Sequence, residues 1–125
     1  MVAAAVFLTI LGLAAGAAAE LAMTKHCLTW DQLPETLAPN GVGKRLLEGE
    51  AASLVTLRVP AGFAGDRHSH PHEQFVQVLS GSGSLLTEQG ERAFGPGSVF
   101  HFPAGTWHAA RFDTETVLVE TNLRA

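Results

Sequence analysis

After Ala51 the chain breaks into apolar runs of a few residues each, separated by Gly, Pro, Asp or Ser. That rhythm admits few folds. Runs of this length at regular spacing read as strands of an all-β sandwich or barrel rather than as βαβ units. Strands are expected near 53–59, 74–79, 84–88, 91–94, 98–102, 108–112 and 116–121. Gly81-Ser82-Gly83 and Gln89-Gly90 supply turns between consecutive strands, and Gly95-Pro96-Gly97 and Pro103-Ala104-Gly105 mark two further corners. Strands so short must close into a barrel or pack as two sheets to hide their edges.

The chain has 125 residues, room for one domain. Its expected division is a leader over 1–19, a lead-in over 20–50 and the barrel over 51–125. From Met1 to Ala19 there is no charged side chain, and Ala17-Ala18-Ala19 before Glu20 reads as a small-residue cleavage site, so the leader resembles a secretory signal peptide. Export, periplasmic or secreted, follows if translation starts at Met1, with no stable membrane span after processing. A weakly hydrophobic anchor is the rival reading, and a start at Met23 would give a cytoplasmic protein. Pro34, Pro39, Asn40, Gly41 and Gly43 punctuate the lead-in too often for a long helix. Trp30, Leu33 and Leu37 are expected to cap one barrel end, with Thr29 or Asp31 capping a single helical turn. Cys27 is the lone cysteine, so no intrachain disulfide can form. The formal charge of -4, spread over 12 acidic and 8 basic residues, offers no basic stripe and excludes a nucleic-acid surface.

The chemistry concentrates in His68-Ser69-His70-Pro71-His72, three of the six histidines within five residues. In an extended chain alternate side chains share a face, so His68 and His70 can point at one spot, as chelation by two imidazoles requires. Surface histidines beside Pro71 are the bland alternative for this pair alone. His101, flanked by Phe100 and Phe102, reads as a packed strand residue, and His26 has no partner in sequence.

Wider spacing adds to this. Gly62 is followed after five residues by His68, then His70, then after three residues Gln74, and after six more Gly81. A second block reads Gly97, five residues, Pro103-Ala104-Gly105, two residues, His108. Together these resemble the two motifs of the cupin superfamily, over about residues 53 to 121. The resemblance implies a small single-domain jelly-roll β-barrel holding one divalent metal ion through His68, His70, Gln74 and His108. Gln74 stands where the family usually has Glu. An amide oxygen is a weaker donor and brings no charge, so the ion would keep its full +2 and favour anionic ligands.

Glu73 competes as the fourth ligand, but parity opposes it. His68, His70 and Gln74 share even spacing with Val76 and Val78, whereas Glu73 falls with Phe75 and Gln77 unless a bulge intervenes. His72 is expected to line the pocket wall rather than coordinate. Three imidazoles and an oxygen suit Zn, Fe, Mn, Ni, Co or Cu, and open positions on such a site favour catalysis.

The string from His68 to Gln74 also resembles that of a cupin subgroup including the pectin-degradation proteins, which linearise unsaturated uronic acid sugars. By that resemblance Glu120 would be the acid-base group and Arg124 would bind a carboxylate, with Asn122 standing where the subgroup has an aromatic. Leu118, Glu120 and Asn122 share a face, and alternation leaves open whether it points inward. Phe100, Phe102 and Trp107 are expected along the barrel or its rim. A metal-dependent oxygenase and a non-catalytic small-ligand-binding cupin are the other function classes. Cupins pair through their N-terminal segments and sheet edges, which implies a homodimer.

Overall fold

The alternation expected of 74–79 shows how the chain sorts its side chains. In a computed structural model, which describes residues 26–124, Gln74, Val76 and Val78 are buried while Phe75, Gln77 and Leu79 are exposed. The elements in order are a 3-10 turn (Trp30–Gln32), then β1 (Thr36–Leu37), β2 (Gly43–Glu48), β3 (Ala52–Val59), β4 (Gln74–Ser80), β5 (Gly83–Thr87), β6 (Gly90–Phe94), β7 (Val99–Phe102), β8 (Ala109–Phe112) and β9 (Thr116–Leu123). The structure is all-β, as expected. The leader and its rival readings lie outside the described residues; among those described, no helix is long and apolar enough to cross a membrane.

The strands form a six-stranded sheet in the order β1-β2-β3-β9-β4-β7 and a three-stranded sheet in the order β6-β5-β8. Every pairing is antiparallel. Val42, Val59, Val76, Val78, Phe94, Phe102, Phe112 and Leu118 form the core between the sheets. Phe94 meets Phe112 edge to face at 5.7 Å, an arrangement that suits the ring quadrupoles.

The register stacks inward side chains into rows across the large sheet. One row reads Glu48, Ser53, Asn122, Gln74, Phe102; the next Leu46, Val55, Glu120, Val76, Phe100; the third Lys44, Leu57, Leu118, Val78. The first row is polar apart from Phe102 and lies towards the histidine segment. The other two are apolar except for Glu120 and Lys44.

Two expectations for the lead-in change. It supplies β2, which pairs with β3 from Gly43 opposite Arg58 to Glu48 opposite Ser53, so the sheet begins well before residue 51. Its run Lys44-Arg45-Leu46-Leu47-Glu48 has no apolar alternation, because Arg45 turns to the outer face and donates to the carbonyl oxygens of Trp30 and Leu33. Of the three residues expected to cap the barrel, Leu33 is buried, Trp30 is half-buried and Leu37 is exposed. The single turn is present, with Thr29 at its N-cap and the Thr29 N–H donating to Gln32 Oε1 at 2.9 Å.

The glycines of the two sequence blocks, Gly62, Gly81, Gly97 and Gly105, all sit at positive φ, between +82° and +95°. Gly81 is the most constrained. A Cβ there would run into Thr116 Oγ1 and the Glu115 carbonyl, so the position demands both the left-handed backbone and the missing side chain.

Candidate metal centre

The segment after β3 is irregular, yet its backbone is pinned along β8. Gly62 N–H donates to Phe112 O, Gly65 N–H to Ala110 O, and His68 and His108 exchange both backbone hydrogen bonds, at 3.0 and 2.8 Å. His68 and His108 are thus locked across a two-residue bridge, far apart in sequence but fixed face to face. The Pro103-Ala104-Gly105 corner completes the clamp. Thr106 N–H closes the turn onto Pro103 O, which frees Gly105 N–H to donate to His70 O at 2.8 Å.

This scaffold brings one ring nitrogen from each of His68, His70 and His108 within 4.8 Å of the others. His68 Nδ1–H donates to Asp66 O at 2.8 Å and His108 Nδ1–H to Thr106 O at 3.2 Å. In the neutral form of either ring this leaves the lone pair on Nε2, the state a metal ligand needs. Phe102 stacks on His108 at 3.8 Å and 3°, fixing its ring plane. Burial, reinforced by the neighbouring His68, lowers the pKa of both His70 and His108 to about 4. Neither carries a proton at neutral pH that an incoming cation would have to displace.

Gln74 lines the same cavity and is 3% exposed. Its Nε2–H donates to Asn122 Oδ1 at 2.8 Å, and His72 Nε2–H reaches the same oxygen at 3.3 Å. Asn122 thus holds the Gln74 amide nitrogen and leaves Oε1 as the atom available to a cation. His72 sits in the pocket wall, as expected. Three imidazoles and a fixed amide oxygen are a donor set that fits a divalent ion.

Glu73 faces the other way. Its Oε2 lies 2.6 Å from His101 Nε2 on the outer face. His101 is itself exposed and stacks on Phe75 at 4.7 Å, so the expectation of a packed strand residue is corrected: its odd parity sends it outward. His26 is exposed. Trp107 is not among the residues lining the cavity and carries the Arg67 guanidinium 3.4 Å above its ring, whereas Phe100 and Phe102 do line it.

The cavity encloses about 890 Å³. The face left open by alternation, Leu118, Glu120 and Asn122, points into it. Desolvation raises the pKa of the Glu120 carboxyl, opposed by the nearby Lys44 ammonium and a hydrogen bond with Asn122. Arg124 stands at the cavity edge, its Nε donating to Gly49 O at 3.2 Å and its Nη2 3.5 Å from Glu48 Oε1. Two of its three guanidinium nitrogens are thereby engaged. The sequence reading missed Lys44, which lines the cavity from β2, and the part Asn122 plays in holding Gln74. The even spacing of Asn122 with Glu120 was the signal for the second; Lys44 gave none, because β2 itself lacked a pattern.

A search of curated protein sequences finds no match. Among solved structures, the chain resembles an RmlC-like cupin from Shewanella frigidimarina NCIMB 400, with a TM-score of 0.74 and 22% identity over 81% of this chain and 92% of that one. KdgF from Halomonas sp. aligns with a TM-score of 0.66 and 21% identity, covering 76% of this chain and 90% of its own. A variant of oxalate decarboxylase from Bacillus subtilis gives a TM-score of 0.65 and 17% identity over 77% of this chain and 28% of that one. The model of the Cupin domain family matches residues 55–121. That match spans more than half of the 125 residues, and the protein belongs to the cupin family.

Proposed function

We propose that this protein is a metal-dependent cupin acting on a small anionic molecule, a carboxylate or sugar acid, with His68, His70, His108 and Gln74 holding one divalent ion. The observation that carries this reading is the convergence of three imidazole nitrogens within 4.8 Å at the wall of a cavity of about 890 Å³. The amide of Gln74 supplies no negative charge, so the site favours a ligand that brings its own. Manganese centres are known in the oxalate decarboxylase of Bacillus subtilis, a structural neighbour, which supports a metal here.

A bound divalent ion would supply Lewis-acid polarisation of a carboxylate or carbonyl oxygen. The remaining work falls to the chain. Asn122 orients Gln74, Phe102 orients His108, and the surrounding apolar side chains exclude water. Glu120, kept protonated more readily by its desolvation, can hand a proton to or take one from a ligand lying in the middle row. Arg124 stands at the cavity edge as a further cation. The likeness of the His68 to Gln74 string to the pectin-degradation subgroup, together with the structural likeness to KdgF, supports the sugar-acid branch. Export through the 1–19 leader and pairing into a homodimer are part of the same proposal.

A second reading, a metal-dependent oxygenase, draws on the apolar lining of the cavity by residues such as Val55, Leu57, Phe100 and Leu118. Calorimetric titration of metal-loaded and metal-free protein with uronates and simple carboxylates tests the main reading. Binding confined to the loaded form is the expected result, and equal binding by both forms would sink it. Loss of an unsaturated uronate's absorbance without oxygen would favour the sugar-acid branch; substrate-dependent oxygen uptake would favour the second reading.

A further inference from the structure

Lys44 is an unusual residue for a barrel interior. It lies on β2, where Arg45 turns outward to the 3-10 turn while Lys44 and Leu46 face the cavity. It occupies the third inward row, opposite Leu57, two rows beyond Gln74. Four residues of strand separate those rows, roughly 13 Å along the sheet. Of the two Lys or Arg side chains lining the cavity among the described residues, Arg124 is held at the edge by Gly49 and Glu48, and Lys44 is the one placed among core side chains.

We propose that Lys44 is a second anion-holding point inside the barrel, so that the cavity takes a short dicarboxylic acid with one end at the histidine cluster and the other at Lys44. Between the two ends the walls are Val55, Leu57, Phe100 and Leu118. These apolar side chains suit the methylene chain of such an acid, and Glu120 is the one polar side chain of the middle row. Glu120 is the acid that faces Lys44 from β9, and the ligand's carboxylate competes with it as counter-ion. Burial lowers the pKa of Lys44, a cost that a bound carboxylate would offset.

This inference rests on the metal and anion reading above and narrows its ligand. The test is calorimetric titration of the zinc-loaded full chain with succinate, glutarate and adipate, each against the monocarboxylate of equal length. At least one diacid is expected to bind tenfold or more tighter than its monoacid. Lys44→Met should abolish that ratio while the monoacid affinity and the zinc content stay unchanged, and Lys44→Arg should retain most of it. Because Lys44→Met leaves Glu120 without its counter-ion, Lys44→Met/Glu120→Gln serves as the second variant and should also lose the ratio. If diacids and monoacids bind the parent protein alike, or the ratio survives in both Met variants, the role of Lys44 is overturned while the metal and anion reading stands. If the zinc-loaded protein binds neither kind of acid, both fall together.

Discussion

Replacing His108 by alanine is expected to lower the affinity for a divalent ion by more than about 100-fold, beyond the range seen on losing a residue that merely supports a ligand. The change removes one of three clustered nitrogens and leaves the other two on alternate chain positions, His68 and His70. The scaffold should survive, because the bonds between positions 68 and 108 are made by backbone groups that alanine retains. What the fold loses is the ring stacked on Phe102, a packing deficit in the range of about 2–5 kcal/mol for large-to-alanine changes at buried positions. Zinc titration by calorimetry, alongside thermal denaturation of the metal-free variant, separates the two effects. A folded His108→Ala protein with affinity within tenfold of the parent would remove His108 from the ligand set.

Asn122→Ala is the second large effect, and it acts through Gln74. The Gln74 amide is 3% exposed and its nitrogen donates to Asn122 Oδ1. Without that acceptor, a buried donor is left unsatisfied, at a cost of about 1–3 kcal/mol. The amide is also free to turn its nitrogen towards the ion, and metal affinity should fall about 10–100-fold. Asn122→Asp retains the acceptor and is expected to restore most of the affinity. Equal losses in the alanine and aspartate variants would mean that Asn122 does not position Gln74. Because stability alone cannot distinguish the two variants' effects on the site, metal affinity is the decisive readout.

The contrast between β4 and β2 explains how far the sequence reaches. β4 lies between β9 and β7 with one face on the core, so burial enforced a strict period of two, and Gln74, Val76 and Val78 could be assigned inward from the string alone. β2 carries Lys44 inward and Arg45 outward, a cation on each face, and the hydrophobic pattern vanished although the strand is fully paired. Glu120 was ambiguous for a related reason. A carboxylate inside a barrel breaks the rule that reads polar as exposed, and the register with Val55 and Val76 was needed to place it. The histidine cluster was legible as a spacing, but its cause was not. Nothing local predicts that His68 and His108 exchange two backbone hydrogen bonds, or that the Gly105 N–H holds His70, since both depend on loops brought together by the whole fold.

We propose that His68, His70, His108 and Gln74 form one metal shell. X-ray absorption of the zinc-loaded protein measures that shell directly. Three imidazole nitrogens at about 2.0–2.1 Å, with oxygen filling the remaining positions, are the expected result. A shell made of oxygen alone, or one with fewer than two imidazoles, would contradict it.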